Sequence, residues 1–220
     1  MDIFAVLKEA SGEITVKKSR FIGTAFEVHS EDEASAIIES MRKKYWDAKH
    51  NCYAYVTGRN NEIQRFSDDK EPSGTAGKPI LEVLLSSNVR NCLIVVTRYF
   101  GGVLLGTGGL VRAYTDASVC AVEALKSAGR LLPILSGRSI SFECDYKDIS
   151  RFDSLCMRLD MCTVSKDYQE NVIYNMIIDD SHIASFLKEA SNITRGAFKL
   201  LSEDPVIYLK SGINAVLYDL

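Results

Sequence analysis

The 220-residue sequence has no long uninterrupted apolar run, and this absence narrows the classes of protein that it can encode. No stretch approaches the roughly 18 to 20 apolar residues that a membrane-spanning helix requires. The first residues, MDIFAVLKEASGE, contain neither the basic segment nor the cleavage site of a secretory leader. We therefore expect no membrane association and a cytoplasmic location.

Paired cysteine motifs and clustered histidines are also missing. The six cysteines form no C-x-x-C pair, and most of them lie in apolar runs, which predicts reduced and buried side chains. The three histidines, His29, His50 and His182, are far apart in the sequence. A structural zinc site therefore has little support.

The sequence has no strong excess of charge of either sign. The net charge is −3 at pH 7, whereas a nucleic-acid-binding protein that works through its overall field is usually basic. The charges are unevenly distributed, with 17 basic and 16 acidic side chains in residues 1–135 but 9 basic and 13 acidic in residues 136–220. Any anion-binding surface is therefore expected in the first part.

The glycine-rich segment RYFGGVLLGTGGLVRAYTDAS follows an apolar strand and precedes a helix, which is where phosphate-binding turns occur. Gly101 and Gly106 have the spacing of a P-loop, but Thr107 and Gly108 follow in place of lysine and a hydroxyl residue. A dinucleotide turn would need glycine where Val111 stands. We therefore expect no nucleotide cofactor. A G-x-S-x-G nucleophile motif is also absent, so covalent catalysis is unsupported.

Hydrophobic periodicity predicts an α/β first domain. Ser30 and Glu33 form a capping box that begins an amphipathic helix, preceded by the strand RFIGTAFEV and followed by the neighbouring strands NCYAYVTG and EIQRFSDD. The short helix KPILEVLLSSN and the strand NCLIVVT lead to a long helix from about Gly109 to Ser127. These elements predict an α/β domain over residues 1–135. The inward positions of the first helix are Ala34, Ile37, Ile38, Met41 and Tyr45.

A second domain is predicted after the segment GRLLPILSGRS around Pro133, which interrupts the pattern near Ser136. The order strand, helix, two strands, helix, strand predicts a ferredoxin-like βαββαβ domain over residues 136–220, with Gly196 ending the second helix. The stretch RGAFKLLSE lacks the paired aromatics of an RNA-reading strand, so this sheet is not expected to read RNA. The inward helix positions are Ile149, Phe152, Leu155 and Leu159, then Ile183, Phe186, Leu187 and Ala190.

Arg112 is predicted in the first turn of the long helix, where the helix dipole disfavours a cation. Two interpretations remain open. One is an i,i+4 contact with Asp116, which contributes only about 0.2 to 0.5 kcal/mol. The other is that Arg98, Arg112 and the free N–H groups near Gly106 face a shared anion. The candidate anion- or nucleic-acid-binding residues are Arg98, Tyr99, Gly101, Gly102, Gly106, Gly108, Gly109, Arg112, Ser73 and Thr75.

The loop DDKEPSGTAGKP places Asp68, Asp69 and Glu71 within four residues. Helix-start chemistry explains its hydroxyl residues, Ser73 and Thr75. Carboxylates this close repel one another unless a cation lies among them. A hard metal ion or a partnering arginine, Arg98, are the candidate cations.

His50 stands where a loop enters a strand, in DAKHNCYAYV. Such a residue is either a hydrogen-bonded structural histidine or an acid–base group in a site. The residue alone does not decide between these two interpretations. We retain His50 as a candidate catalytic residue.

Four longer motifs, KKSRFIGTA, DAKHNCYAY, DDKEPSGTAGKPIL and RYFGGVLLGTGGLVRAY, resemble the YigZ/IMPACT family. The resemblance spans nearly the whole chain, and the chain is similar to the bacterial two-domain form of the family. It implies a first domain with the fold of the second domain of ribosomal S5-type proteins and of RNase PH. It implies a second domain similar to the last domain of elongation factor G. Lys70 stands where many relatives have glycine, which adds a cation among the acids.

The resemblance implies a translation-associated regulatory or binding protein whose first domain recognises nucleic acid, such as RNA, or a ribosome-associated partner. The alternative is a dipeptidase-like, metal-assisted hydrolase that uses His50 with a metal held by Asp68, Asp69 and Glu71. A third alternative is a structural interaction module in which both loops only support folding. Eukaryotic relatives carry an additional N-terminal domain that engages a translational stress kinase, so the resemblance does not carry kinase regulation over to this sequence. The sequence indicates no oligomeric state.

Overall fold

The structure is a computed structural model that describes residues 2–212 and 214–218. By its internal contacts the chain divides into two compact units, Met1–Leu132 and Pro133–Leu220. Each unit has its own buried core. No described helix is long and apolar enough to cross a membrane.

The first unit combines an antiparallel sheet with three helices. Five strands form the sheet in the order β2-β3-β7-β4-β5, and the short strands β1 and β6 pair in parallel. The elements in chain order are β1 (Phe4–Val6), β2 (Ala10–Val16), β3 (Ser19–Glu27), α1 (Glu31–Lys44), β4 (His50–Thr57), β5 (Ile63–Ser67), α2 (Gly77–Ser86), β6 (Val89–Arg90), β7 (Cys92–Tyr99) and α3 (Gly106–Ser127).

The central strand β7 is buried on both faces. Cys92, Ile94 and Val96 belong to the core formed with α2 and α3, whereas Leu93 and Val95 pack with α1 on the other face. Burial on both faces is why this strand has the continuous apolar sequence NCLIVVT rather than an alternating one. The first unit is therefore a three-layer arrangement with the sheet in the middle.

Helix α1 begins at the predicted capping box. The Ser30 hydroxyl accepts a hydrogen bond from the Glu33 N–H, and the Glu33 carboxylate accepts one from the His29 N–H. Of the five predicted inward positions, Ala34, Ile38 and Met41 are buried, and Ile37 and Tyr45 are partly buried against the same cluster.

The hairpin between β2 and β3 was not predicted. Its two turn residues, Lys17 and Lys18, have φ angles of 45° and 66°. Non-glycine residues seldom adopt this region, and glycine or asparagine usually marks such a turn. The sequence therefore lacks the usual hairpin signal. A second correction concerns α3, which begins at Gly106, three residues earlier than predicted.

The second unit has the predicted order of strands and helices, followed by one further strand. Its antiparallel sheet has the order β9-β10-β8-β11-β12. Helices α4 and α5 contribute to one core with stacked and tilted aromatic rings. The elements are β8 (Leu131–Cys144), α4 (Ile149–Arg158), β9 (Cys162–Tyr168), β10 (Val172–Asp179), α5 (Ile183–Ile193), β11 (Lys199–Ser211) and β12 (Asn214–Leu217).

Most of the predicted inward positions of these helices are confirmed. Phe152, Leu155, Leu159, Phe186 and Ala190 are buried. The remaining three predicted positions are partly buried against the same core. Phe198, the aromatic residue of RGAFKLLSE, also packs against that core. Its ring is therefore not an exposed platform on which a base could stack.

The segment around Pro133 does not interrupt regular structure as expected, because it is part of strand β8, although the division between the two units falls within it, after Leu132. The ladder between β8 and β11 extends from Glu143 to Ile134 and stops before Pro133. Proline is compatible with extended backbone where no ladder N–H is required of it. The apparent break therefore lies inside a continuous strand.

Candidate functional site: a pocket around a buried arginine

The main candidate site lies where β4 begins and β7 ends. These strands are antiparallel, and their register places His50 directly opposite Arg98. The loop after β5 brings Glu71 to the same place. A pocket of about 430 Å³ opens there. Its lining residues are Lys49, His50, Glu71, Pro72, Arg98, Phe100, Leu104, Leu105, Gly106, Thr107 and Leu110.

Arg98 and Glu71 form a buried ion pair in this pocket. Arg98 Nη1 lies 2.5 Å from Glu71 Oε1, and the Tyr114 hydroxyl donates to the same oxygen at 2.9 Å. The guanidinium carbon of Arg98 lies 5.4 Å from the centre of the Phe21 ring and 5.6 Å from that of Phe100. Both distances suit cation–π attraction. The buried Nε of Arg98 has no hydrogen-bond partner in the described part of the chain.

His50 is oriented by the backbone of the acidic loop. Its Nδ1 lies 2.8 Å from the carbonyl oxygen of Asp69. A carbonyl oxygen can only accept, so the hydrogen-bond network assigns the proton to Nδ1. The other ring nitrogen, Nε2, lies 3.7 Å from Glu71 Oε1, which is beyond hydrogen-bond distance. Nε2 is therefore the ring nitrogen left to accept a proton.

Two neutral groups lie beneath the ion pair. The Cys52 thiol is 3.3 Å from the Tyr114 hydroxyl. Burial raises the pKa of the Cys52 thiol. Burial also raises the pKa of the Tyr114 phenol, and the neighbouring Cys52 and Glu71 raise it further. Both groups therefore stay protonated near neutral pH. Glu71 is then the anionic partner that the Arg98 guanidinium contacts.

The Asp68 carboxylate caps the start of helix α2 and does not line the pocket. Its carboxylate accepts three backbone N–H groups, with distances of 2.8 to 2.9 Å. The helix has no side-chain cap from its own N-cap residue, so Asp68 supplies this function from eight positions upstream. The three donors are the N–H groups of Gly74, Ala76 and Gly77.

The hydroxyl residues of the same loop do not cap the helix, which corrects the sequence interpretation. The Thr75 hydroxyl donates to the Pro72 carbonyl at 2.6 Å, and Ser73 is exposed. The loop therefore does cap the start of α2, but a carboxylate supplies the cap and the hydroxyl groups do not.

The three carboxylates do not point at one another. Asp69 accepts the N–H of Asn51 at 2.7 Å, while Asp68 faces α2 and Glu71 faces Arg98. Within residues 2–212 and 214–218, no group of three or more His, Cys, Asp or Glu side chains is arranged to hold a metal ion. Arg98, one of the two candidate cations, lies beside the loop and pairs with Glu71.

The glycine-rich turn has structural reasons for at least two of its glycines. A Cβ atom on Gly101 would lie 2.0 Å from the backbone carbon of Lys18, so only glycine permits this close approach to the β2–β3 turn. Gly106 has a φ of 73°, which favours glycine at the start of α3. The N-cap residue Leu105 provides no side-chain cap. Gly106 and Thr107, in the first turn of α3, line the pocket.

Arg112 lies outside this pocket, contrary to the expectation that it would converge with His50 and Arg98. Because α3 begins at Gly106, Arg112 is in its second turn, and it is exposed. Within the described chain it makes no ion pair with Asp116 either, so neither interpretation of Arg112 gains support. The other candidates that do not line the pocket are Asp68, Asp69, Ser73, Thr75, Tyr99, Gly101, Gly102, Gly108 and Gly109.

Sequence reasoning missed the apolar and lysine walls of the pocket. Lys49 and Phe100 lie beside His50 and Arg98, and the Lys49 ammonium is 5.4 Å from the centre of the Phe100 ring. Leu104, at the middle of the glycine-rich turn, is 82% exposed. The signal available was the run VLL in a loop where polar residues are usual.

These features define a two-unit mixed α/β protein with a small pocket around a buried arginine–glutamate pair. Residues 17–122 match the family described as the Impact N-terminal domain. The chain is 35% identical over 213 residues to IMPACT family member YvyE of Bacillus subtilis, which covers 97% of this chain and 96% of that protein. It is 36% identical over 189 residues to IMPACT family member YigZ of Escherichia coli, with coverage of 85% and 91%. The chain therefore belongs to the IMPACT family.

A solved structure is also similar. The crystal structure of a hypothetical protein aligns with a TM-score of 0.55 at 32% sequence identity. The alignment covers 92% of this chain and 98% of that one. The likeness therefore extends over both units and not over the first alone.

Proposed function

We propose that this protein is a translation-associated regulatory or binding protein whose first unit recognises RNA. A ribosome-associated protein partner is the alternative ligand. The long motifs shared with the IMPACT family imply a translation-associated role, and membership of that family therefore supports it. The pocket supports recognition of an anionic ligand.

The observation that carries the proposal is the state of Arg98. Its side chain is 6% exposed, and its Nε has no partner within the described chain. A buried donor without a partner costs roughly 1 to 3 kcal/mol unless water or a ligand satisfies it. The first turn of α3, whose N-cap residue Leu105 supplies no side-chain cap, lies at the same pocket, and helix N-termini favour anions. These two features together support a phosphate or carboxylate as the group bound.

The remaining lining favours a nucleotide over a bare anion. The walls are mostly apolar, with Phe100, Leu104 and Leu110 among them. The lining has two cationic side chains, Lys49 and Arg98, and one carboxylate, Glu71, which leaves an excess of one positive charge. The volume of about 430 Å³ lies in the range of small-molecule pockets. A nucleotide offers both a flat base for the apolar wall and a phosphate for the cations.

The test is the affinity of the full chain for a fluorescently labelled oligouridylate, measured by anisotropy at two salt concentrations. The double variant Arg98→Met with Glu71→Leu removes both charges together, because a buried pair can often be replaced by apolar residues without loss of stability. We expect binding to weaken about tenfold or more, since hydrogen bonds to charged groups contribute roughly 1.5 to 3 kcal/mol. Unchanged affinity of a folded double variant would overturn the proposed site.

The matched control is Arg112→Met, which removes an exposed cation outside the pocket. We expect only the small loss that follows from lowering the net charge. For a single strand, the logarithm of the binding constant should fall by about 0.7 per neutralised phosphate for each tenfold rise in salt concentration. Circular dichroism of each variant verifies that it is folded.

We also propose a specific fold for each unit. The strand order β11-β8-β10-β9 with α4 and α5 supports a ferredoxin-like second domain similar to the last domain of elongation factor G. For the first unit we propose the ribosomal S5 and RNase PH type of fold. The two compact units support separate domains over residues 1–135 and 136–220. We also propose a cytoplasmic location, in keeping with a role in translation.

A hydrolase is the second candidate function, and the orientation of His50 favours it. Nδ1 is held by the Asp69 carbonyl, which leaves Nε2 at the pocket as a base. The carboxylates supply no grouped metal ligands, so we expect any activity to survive a chelator. Dipeptide p-nitroanilides test this candidate with and without the chelator. Turnover that is lost in His50→Gln would support the enzyme, and its absence in the wild type would count against it.

A further inference from the structure

Trp46 lies on the surface in the turn between α1 and β4, and its side chain is 82% exposed. It is the only tryptophan in the protein. The preceding residue, Tyr45, is by contrast partly buried, with the Lys44 ammonium 5.1 Å from the centre of its ring. The indole ring of Trp46 is therefore available for contact with another molecule.

The lysines around Trp46 are not neutralised. Lys43, Lys44 and Lys49 are exposed, and within the described residues none of them forms an ion pair. The neighbouring Arg42 differs, because its guanidinium lies 2.6 Å from the Glu39 carboxylate. Across residues 43–49 these three lysines outnumber the one carboxylate, Asp47, which accepts a hydrogen bond from the Tyr99 hydroxyl, so the local potential is positive in a chain whose net charge is negative.

This surface continues to the pocket. Lys49 and Phe100 line the pocket, and Phe100 is 42% exposed beside the glycine-rich turn. The β2–β3 turn approaches that turn closely, and its exposed lysines, Lys17 and Lys18, also form no ion pair in the described chain. The aromatic-basic surface is defined by Lys17, Lys18, Lys43, Lys44, Trp46, Lys49 and Phe100.

We propose that the aromatic-basic surface binds single-stranded nucleic acid, with a base stacked on Trp46 and phosphates near the lysines. The inference rests on the proposed function and names its substrate class. Non-specific single-strand binders combine cations that follow the backbone with aromatic rings on which bases stack. A paired base inside a duplex does not offer its face to a protein ring. An acidic protein would be attracted by the lysines but would not require the indole.

The experiment uses the intrinsic fluorescence of the full chain, because its one tryptophan reports on this surface alone. The probes are a single-stranded oligouridylate, an RNA duplex of equal length and a polyglutamate peptide. We expect the oligouridylate to quench Trp46 emission, and the duplex and the peptide to bind more weakly with little quenching. Anisotropy of labelled oligouridylate gives the affinity independently of the tryptophan.

Three variants separate stacking from charge and from folding. Trp46→Ala should weaken binding about tenfold or more, because base stacking contributes strongly to single-strand affinity. Trp46→Phe keeps a ring and should restore part of the affinity. Tyr168→Ala removes a 64% exposed aromatic side chain from the second unit and should leave binding unchanged.

The outcomes distinguish this inference from the proposed function. Oligouridylate binding that neither quenches Trp46 nor weakens in Trp46→Ala overturns the stacking surface, while RNA recognition by the first unit stands. Quenching by polyglutamate or duplex as strong as by oligouridylate also overturns it. Binding of no RNA at all by the wild type overturns the proposed function and this inference together.

Discussion

Arg98 Nη1 lies 2.5 Å from Glu71 Oε1, and the two side chains are 6% and 4% exposed. These residues are 27 positions apart and come from the end of β7 and from the loop after β5. The pair therefore connects the acidic loop to the central strand of the sheet. Neither charge has enough water around it to compensate for loss of the other.

Glu71→Ala is expected to destabilise the protein strongly. Removing one partner of a buried ion pair leaves an uncompensated charge, which costs about 3 to 5 kcal/mol. Chemical unfolding by urea, followed by circular dichroism, measures the change. Glu13→Ala is the control, because its pair with Arg20 is exposed to solvent and should contribute little to stability. Equal effects of the two substitutions would contradict this account of the pair.

Asp68→Ala should destabilise the start of α2. The substitution removes the acceptor of three backbone N–H groups, and loss of a helix cap alone costs about 0.5 to 2 kcal/mol. Ser73→Ala in the same loop should change stability by less than about 0.5 kcal/mol, since Ser73 is exposed. A larger effect at Ser73 than at Asp68 in urea unfolding would restore the original capping interpretation.

The β2–β3 turn offers a stabilising substitution. Lys17 and Lys18 both have positive φ angles, and Asn-Gly is the pair that such two-residue turns prefer. Lys17→Asn with Lys18→Gly should raise the free energy of unfolding by about 1 kcal/mol, because asparagine and glycine adopt the left-handed region at lower cost than lysine. Lys17→Ala with Lys18→Ala removes the same charges without relieving the backbone. If both double variants unfold at the same temperature, backbone strain in the turn does not limit stability.

Cys120 should react first with iodoacetamide in the native protein. It is half-buried, whereas the other five cysteines are buried. Burial raises the pKa of Cys92 to about 12 and that of Cys144 to about 11, so their reactive thiolates are scarce at pH 8. Mass spectrometry of peptides identifies the labelled site, and Cys120→Ser should remove the fast phase. Labelling of Cys92 as fast as Cys120 would contradict the burial.

The raised pKa of Cys92 also predicts the direction of a pH effect. Below the ordinary thiol pKa near 9, both the folded and the unfolded chain keep this proton, so stability does not depend on it. Between about pH 9 and 12 the unfolded thiol ionises first, and stability falls as the pH rises. Urea midpoints at pH 8 and pH 10.5 measure the fall, which should be smaller in Cys92→Ala.

Several features of this protein could be predicted from local sequence because they depend on neighbouring residues. The capping box of Ser30 and Glu33 and the buried positions Phe152 and Phe186 follow from spacing along one helix. The long motifs around the acidic loop and the glycine-rich turn were sufficient to indicate the family. Burial of five of the six cysteines followed from their apolar surroundings.

Only the tertiary structure decided which groups meet. The sequence placed Asp68, Asp69 and Glu71 together, but the fold directs them to α2, to the Asn51 N–H and to Arg98. This choice depends on the register of β4 against β7, which periodicity along one strand does not report. A three-residue shift in where α3 begins likewise moved Arg112 to the second turn, outside the pocket. Local pattern determines which face of an element is buried, whereas contacts between distant elements determine which charges become partners.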